Sequence, residues 1–135
     1  MLTHLLDTSV YSQRLKPKPL EPVIDRWKAL GDSTLAIAAC CEAELLYGLE
    51  KKGSKRLWTE YEEYLKDQLT LIPFGYAEAI AYSRLRRHLV ENGSTVADMD
   101  IMIGATALAN GLTLATLNIG HFARMPGLMV EDWSG

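Results

Sequence analysis

The sequence predicts an α/β protein with a central parallel β-sheet flanked by α-helices. Short apolar segments alternate along the chain with longer segments of helical character, a pattern typical of a parallel sheet covered on both faces. The chain has 135 residues and no internal repeat, which predicts a single domain over residues 1–135. In such sheets ligands bind beyond the carboxyl ends of the strands, so candidate functional residues are sought there.

Proline, glycine and serine residues set the expected boundaries of the helices and strands. Three prolines in residues 16–22 exclude a helix interior and predict an exposed loop. Gly31 and Gly53 are expected to end two helices, and Ser54 to cap the next one. The predicted strands are 2–6, 34–38, 69–74, 112–116 and 128–130. The predicted helices begin near Ser9 and then cover 23–30, 42–52, about 54–67, 77–91 and 98–110.

Composition narrows the functional classes. The formal net charge of −3 argues against a protein that binds nucleic acid through bulk positive charge, yet it is compatible with a nuclease that has an acidic site. No apolar run is long enough for a membrane span, and the start of the chain has an acid at Asp7 and no basic region, so we expect a cytoplasmic protein. Cys40 and Cys41 are adjacent, without metal-ligand spacing, and are expected to be reduced, packed thiols.

Asp7 directly follows the first predicted strand, in the segment LLDTS. A carboxylate there lies on the edge of the sheet where ligands bind. An aspartate is also a common N-cap for a short helix. The residue alone leaves both interpretations open.

Glu44 is expected in the first turn of the helix after the second strand, in CCEAELLYGL. It could instead stabilise the helix dipole or complete a capping box. A capping box requires Ser or Thr three residues earlier, where Cys41 stands. Glu42 is two residues away and points to a different face of a helix, so only one of the two glutamates can reach a shared site.

Asp100 begins a helix that is otherwise uncharged from residue 101 to 110, in VADMDIMIGATALANG. A charge beside such an apolar segment is costly unless it is paired or binds a metal. We assign Asp100 to the site and Asp98 to the helix N-cap, from which Asp98 could still contribute.

Asn118 follows the fourth strand, again at a carboxyl end, although an asparagine there is by itself an ordinary turn residue. His121 comes shortly after, and a single histidine is more often a surface residue than a catalyst. The three histidines, His4, His88 and His121, show no HxH or HExxH spacing, so no zinc site is supported.

Three carboxylates and an amide are thus predicted at one edge of the sheet. Oxygen ligands of this kind suit Mg²⁺ or Mn²⁺ better than Zn²⁺. Neighbouring carboxylates repel each other, and one or two divalent ions remove that conflict. The same ions can bind a phosphodiester and activate water, so the chemistry that fits best is metal-assisted phosphodiester hydrolysis.

Two other functional classes fit the sequence less well than metal-assisted phosphodiester hydrolysis. A phosphoryl-transfer enzyme of the haloacid-dehalogenase kind needs a second acid two residues after Asp7, where Ser9 stands, and a receiver-type phosphoacceptor needs a lysine after a late strand, where LATLNIG has none. A catalytically silent module that binds RNA or protein is supported only by the neutral Asn118.

Four segments together resemble the PIN domain, and within it the VapC toxins of prokaryotic toxin–antitoxin modules: LLDTSV, EAELLYGL, DMDIMIGATALANGLTLATLN and HFARMPGLMVEDW. They cover nearly the whole chain in order. The resemblance implies an endoribonuclease dependent on Mg²⁺ or Mn²⁺ that acts on structured RNA, tRNA or rRNA in many members. It also implies a homodimer and a small VapB-type antitoxin as partner.

The resemblance implies a role for individual residues. Asp7, Glu44 and Asp100 correspond to the family's acids and would hold the metal, with Glu44 also able to orient the attacking water. The fourth position, acidic in many members, falls on the neutral Asn118, and Cys40-Cys41 stands where a small hydroxyl residue is frequent. In-line attack by the activated water would leave a 5′-phosphate and a 3′-hydroxyl. The auxiliary candidates are Asp98, Thr8, Ser9, Thr116 and His121.

Overall fold

The computed structural model describes all of residues 1–135 and contains one five-stranded sheet in which every neighbouring pair is parallel. The strands are β1 (His4–Leu6), β2 (Leu35–Ala38), β3 (Thr70–Ile72), β4 (Thr113–Thr116) and β5 (Val130–Asp132). Their order across the sheet is β3-β2-β1-β4-β5. The chain therefore builds outward from β1 in one direction and then adds β4 on its other side, which makes the β1–β4 boundary the switch point where ligands bind in such sheets.

Six α-helices flank the sheet. They are α1 (Thr8–Tyr11), α2 (Glu21–Leu30), α3 (Ala39–Lys52), α4 (Lys55–Tyr64), α5 (Tyr76–Glu91) and α6 (Asp98–Ala109), with short 3-10 turns at Ser12–Leu15, Asp32–Thr34 and Ile119–His121. None of the helices has both the length and the apolar character that crossing a membrane requires. The predicted fold class, a parallel sheet flanked by helices, is confirmed.

The core lies on both faces of the sheet and includes the two cysteines. Thirty buried apolar residues form one continuous cluster, with Trp27 and Trp133 among the largest completely enclosed side chains. Cys40 and Cys41 are buried and unpaired by any disulfide, which confirms their prediction as packed thiols. The helix α6 is buried along most of its length, as its apolar sequence indicated.

Several element boundaries differ from those predicted. The helix α3 begins at Ala39, because the extended backbone of Ala38 directly ends β2 and serves as the N-cap. Glu44 therefore lies in the second turn, and its prediction in the first turn is wrong. The helix α4 ends at Tyr64 instead of near residue 67, where Asp67 has a positive φ of 63°. The helix α2 begins at Glu21 and includes Pro22 in its first turn, where a missing N–H costs nothing.

The last strand was also placed too early. Residues 128 and 129 lead into β5, which covers Val130–Asp132 and pairs Val130 with Leu114 of β4. The predicted caps are confirmed at Gly31, at Gly53 with its left-handed backbone, and at Ser54, whose hydroxyl accepts a hydrogen bond from the Leu57 N–H at 3.3 Å.

Candidate active site

Asp7 lies at the carboxyl end of β1, directly at the switch point with β4. Its side chain is only 6% exposed. Oδ1 accepts a hydrogen bond from the Thr8 N–H at 2.8 Å, so Asp7 is the N-cap of α1 as well as a site residue. Oδ2 accepts hydrogen bonds from the Ser9 hydroxyl at 2.8 Å and from the Thr116 hydroxyl at 2.7 Å. These three donors satisfy a buried carboxylate and fix its orientation.

The Thr116 hydroxyl connects the ends of β1 and β4. Besides donating to Asp7, it accepts a hydrogen bond from the Asn118 N–H at 2.9 Å, and the Ser9 hydroxyl accepts one from the Leu117 N–H at 3.1 Å. The two hydroxyls therefore hold the turn after β4 against the Asp7 carboxylate. The sequence offered Ser9 and Thr116 only as auxiliary candidates, because a contact between residues 107 positions apart has no local signal.

The two glutamates of α3 face different neighbours, as their two-residue spacing predicted. Glu44 is exposed and accepts a hydrogen bond from the Thr8 hydroxyl at 2.7 Å, beside the Asp7 cap. Glu42 is half-buried and accepts hydrogen bonds from the Tyr61 hydroxyl at 2.9 Å and from the Tyr11 hydroxyl at 3.2 Å. Only Glu44 thus lies on the Asp7 side of the helix.

Glu42 changes the acidity of both tyrosines. Burial raises the pKa of Tyr11 and of Tyr61 well above the usual value, and the charge of Glu42 and its hydrogen bonds with the two hydroxyls add to the effect. Both phenols therefore remain neutral donors, and Glu42 has a structural role as their common acceptor.

Asp100 is the third residue of α6 and has a side chain 22% exposed. Burial raises its pKa, and the negative charge of Asp7 raises it further, while the ion pair with His121 opposes both effects. The Asp100 Oδ2 lies 3.2 Å from the His121 Nδ1. Asp7 and Asp100 are therefore close enough for their charges to conflict.

Asp98 is not the N-cap of α6, which corrects that prediction. Ala97 occupies the cap position with an extended backbone, and Asp98 is the first helical residue. The Asp98 carboxylate is 68% exposed, accepts a hydrogen bond from the Tyr82 hydroxyl at 3.1 Å and lies 4.0 Å from the Arg86 guanidinium. Its contacts are with α5, away from Asp7.

Asn118 has an exposed side chain in the turn after β4. Its backbone N–H is anchored on Thr116, and its side-chain amide makes no hydrogen bond with the rest of the chain. The amide is therefore at the edge of the site and available to a ligand, while His121, which the sequence offered only as an auxiliary candidate, is the residue in contact with Asp100.

The oxygen donors suit a divalent metal in chemistry, but they do not form a preassembled cage. No three His, Cys, Asp or Glu side chains are grouped closely enough to share one ion. Glu44 instead contacts Thr8, and Asp100 contacts His121. The unfavourable charge of Asp100 beside Asp7 is the feature that a cation would relieve.

Comparisons with known proteins agree with this geometry. A family profile described as PIN domain matches residues 4–128. The chain is 32% identical over 133 residues to the tRNA(fMet)-specific endonuclease VapC of Salmonella typhimurium, covering 98% of this chain and 99% of that protein. It is 28% identical over 132 residues to Ribonuclease VapC2 of Rickettsia felis, covering 98% of both. The DNA-bound VapBC structure from Salmonella typhimurium superposes with a TM-score of 0.88 at 32% identity, covering 98% of this chain and 99% of that one.

Proposed function

The chain belongs to the PIN domain family, and we propose that it is the endoribonuclease toxin of a toxin–antitoxin module. The observation that supports this most directly is the position of Asp7: a buried, fully hydrogen-bonded carboxylate at the β1–β4 switch point, whose charge adds to the effect of burial in raising the pKa of Asp100. Relatives that span the whole chain have names that describe ribonucleases of this kind.

We propose that Asp7, Asp100 and Glu44 hold a divalent ion. PIN-domain ribonucleases as a class depend on divalent metals, and the all-oxygen donor set favours Mg²⁺, with Mn²⁺ as substitute. When bound, such an ion lowers the pKa of a water and neutralises charge on a phosphodiester.

The side chains around the proposed ion orient the reacting groups. The Ser9 and Thr116 hydroxyls keep the Asp7 carboxylate fixed, so it need not reorganise when the phosphodiester binds. The exposed Glu44 carboxylate orients the attacking water in line with the leaving oxygen. The free side-chain amide of Asn118 is available to a substrate oxygen at the edge of the site.

The proposed substrate is a structured RNA, with tRNA first because a relative is named a tRNA(fMet)-specific endonuclease. The proposed partner is a small VapB-type antitoxin, since a similar solved structure is a VapBC complex. We further propose that the chain is one domain, that it acts in the cytoplasm where tRNA is found, and that it forms a homodimer.

The test is induction of the wild type, Asp7→Asn and Asp25→Asn in a bacterial host, with growth and RNA 5′ ends recorded together. Asp25 is an exposed acid on α2 with no hydrogen bond or ion pair, so Asp25→Asn is a matched control for the chemical change. We expect growth arrest and discrete RNA cuts with the wild type and the control, and neither with Asp7→Asn. Intact RNA in the presence of folded, antitoxin-free wild type would contradict the proposal.

A metal titration separates the catalytic hypothesis from a silent binding module. Mn²⁺ binding to the purified wild type, followed by electron paramagnetic resonance, is expected to be weakened at least tenfold by Asp7→Asn, because a carboxylate ligand is lost. A wild type that binds no Mn²⁺ and still binds RNA would favour the silent module.

A further inference from the structure

Beside the acidic site lies a cavity lined in equal parts by polar and apolar surface. It has a volume of about 400 Å³ and is lined on one side by Thr95 and Asp100 and on the other by His121 and Arg124. This volume is within the range of about 300–1,000 Å³ that small-ligand sites occupy. Asp100 lines both this cavity and the acidic site, so a group bound in the cavity is next to the groups that we propose hold the metal.

Arg124 is the permanent cation of this cavity, and no carboxylate neutralises it. None of the ion pairs within 4.0 Å includes Arg124, whereas Arg56, Arg86 and Arg87 each have an acidic partner. Its one polar contact is a long hydrogen bond from Nη1 to the Ser94 hydroxyl at 3.5 Å. The guanidinium thus keeps most of its five donors free, in the geometry that suits a phosphate.

The cavity has one further free donor beside Arg124, the Thr95 hydroxyl, and it also includes the Asp100 carboxylate. His121 directs Nδ1 at the Asp100 carboxylate, and a neutral ring that donates there has only an acceptor at Nε2, so His121 is not one of the donors of the cavity. The Thr95 side chain makes no hydrogen bond, although it lines the cavity. The Thr95 hydroxyl and the Arg124 guanidinium thus offer donors around one space, at the side of which lies Asp100.

We propose that this cavity binds a backbone phosphate of the RNA adjacent to the bond that is cut, with Arg124 as its main ligand. The inference rests on the proposed ribonuclease function and adds to it a residue that positions the strand. A phosphate seated there holds the next phosphodiester against the acidic site, so binding energy from a non-reacting part of the RNA orients the reacting part. Arg124 does not touch the reacting atoms and is therefore a positioning residue.

The test measures affinity for fluorescein-labelled initiator tRNA by anisotropy, with cleavage prevented by Asp7→Asn in every protein. Arg124→Gln is compared with Arg84→Gln, which removes the same charge from an exposed, unpaired arginine that lines a different groove. We expect Arg124→Gln to weaken binding about tenfold and to reduce the slope of log affinity against log salt by about 0.7, the value for one phosphate contact on a single strand. Arg84→Gln is expected to remain within about twofold.

Arg124→Lys and cleavage kinetics complete the test. The lysine variant keeps the charge without the bidentate geometry, and so should restore the salt slope but only part of the affinity. In proteins that retain Asp7, Arg124→Gln should lower kcat/KM at least tenfold, with a fall in kcat as well as a rise in KM, because the lost contact orients the reacting phosphodiester. Thermal melting of each variant confirms that it is folded.

The outcomes separate the two proposals. If the wild type cuts tRNA but Arg124→Gln binds it as tightly as Arg84→Gln does, the phosphate subsite is wrong and the ribonuclease function stands. The same result is expected if the cavity instead receives a carboxylate of a protein partner. If the wild type neither cuts nor binds tRNA, both proposals are overturned.

Discussion

Glu42 and Glu44 lie two residues apart on α3, yet their contacts predict different consequences of the same substitution. Glu44→Gln removes a charge from an exposed side chain, so we expect a large loss of cleavage activity, at least a hundredfold, with stability unchanged within about 0.5 kcal/mol. Glu42→Gln replaces the common acceptor of two tyrosine hydroxyls, and we expect it to lower stability by about 1–3 kcal/mol.

The measurement is urea denaturation together with cleavage per folded molecule. Each variant is the control for the other, because the chemical change is identical and the two residues lie in adjacent turns of one helix. A Glu42→Gln protein that is fully stable but inactive would show that the wrong glutamate was assigned to the site.

Thr116 supports Asp7 through a hydroxyl that no apolar isostere can replace. Thr116→Val removes a 2.7 Å hydrogen bond to a buried carboxylate and also the acceptor of the Asn118 N–H, so we expect a loss of about 1–3 kcal/mol and weaker Mn²⁺ binding. Thr113→Val on the same strand is the control, since the Thr113 hydroxyl makes no hydrogen bond, and its effect should remain within about 0.5 kcal/mol. Equal effects of the two variants in urea denaturation would show that the Asp7 contact contributes nothing specific.

The raised pKa of Asp100 gives a pH-dependent prediction for the metal-free protein. Because burial and the Asp7 charge raise the folded-state pKa above the unfolded value, ionised Asp100 destabilises the fold at neutral pH, and the cost disappears as the pH falls below the unfolded pKa. Asp100→Asn should therefore raise the melting temperature at pH 7, and the gain should shrink toward pH 4.

Melting curves from pH 4 to 8 with chelator test this, and repeating them with Mn²⁺ provides the control. Bound metal should stabilise the wild type more than Asp100→Asn and so reverse the order. A gain that does not vary with pH would mean that the carboxylate charge is not its cause.

At the scale of single elements, two glycines in helices are expected to respond oppositely to alanine. A Cβ at Gly48 of α3 meets no atom within 4 Å, so Gly48→Ala should stabilise the protein by about 0.5–1 kcal/mol through helix propensity. A Cβ at Gly104 of α6 would overlap the Sδ atom of the buried Met125, so Gly104→Ala should cost about 1–3 kcal/mol for repacking, more than its propensity gain. Urea denaturation of the two variants checks the sign, and stabilisation by Gly104→Ala would show that Met125 moves aside freely.

The sequence predicted the type of each element, helix or strand, more accurately than its first and last residues. The apolar strands and the glycine stops at Gly31 and Gly53 are local signals, and the structure confirms them. The start of α3 was predicted three residues late. The N-cap is Ala38, which makes no side-chain hydrogen bond, and Ala39, Cys40 and Cys41 are not residues that mark a helix N-terminus.

At the scale of the whole molecule, the sequence could show which acids lie at strand ends but not what holds them. Asp7 and Asp100 were identified because they interrupt or end apolar segments. The hydrogen bond from Thr116 to Asp7 and the contact of His121 with Asp100 both depend on the order of strands across the sheet. No local sequence pattern contains that order. Arg124 had no sequence signal, since a surface arginine becomes a candidate only when the cavity around it is known.

The order of strands also brings both ends of the chain into one cooperative structure. Trp133 follows β5, is completely buried and donates from Nε1 to the Glu131 carboxylate at 3.1 Å. Its ring packs at a tilt against the His4 ring of β1, with the ring centres 5.9 Å apart. Trp133→Ala should therefore cost about 3–5 kcal/mol, a large share of the roughly 5–15 kcal/mol of a typical domain. Trp58→Ala on α4, where the ring is only partly buried, is the control and should cost clearly less.

Because β5 pairs with β4, whose end anchors the Asp7 network, unfolding of the last strand should not be separable from loss of the site. Urea titration of Trp133→Ala, followed by far-ultraviolet circular dichroism and by Mn²⁺ binding, should give one transition with coincident midpoints. A first transition that removes β5 while Mn²⁺ binding persists would mean that the terminal strand is an independent addition to a site already complete on β1, β2 and β4.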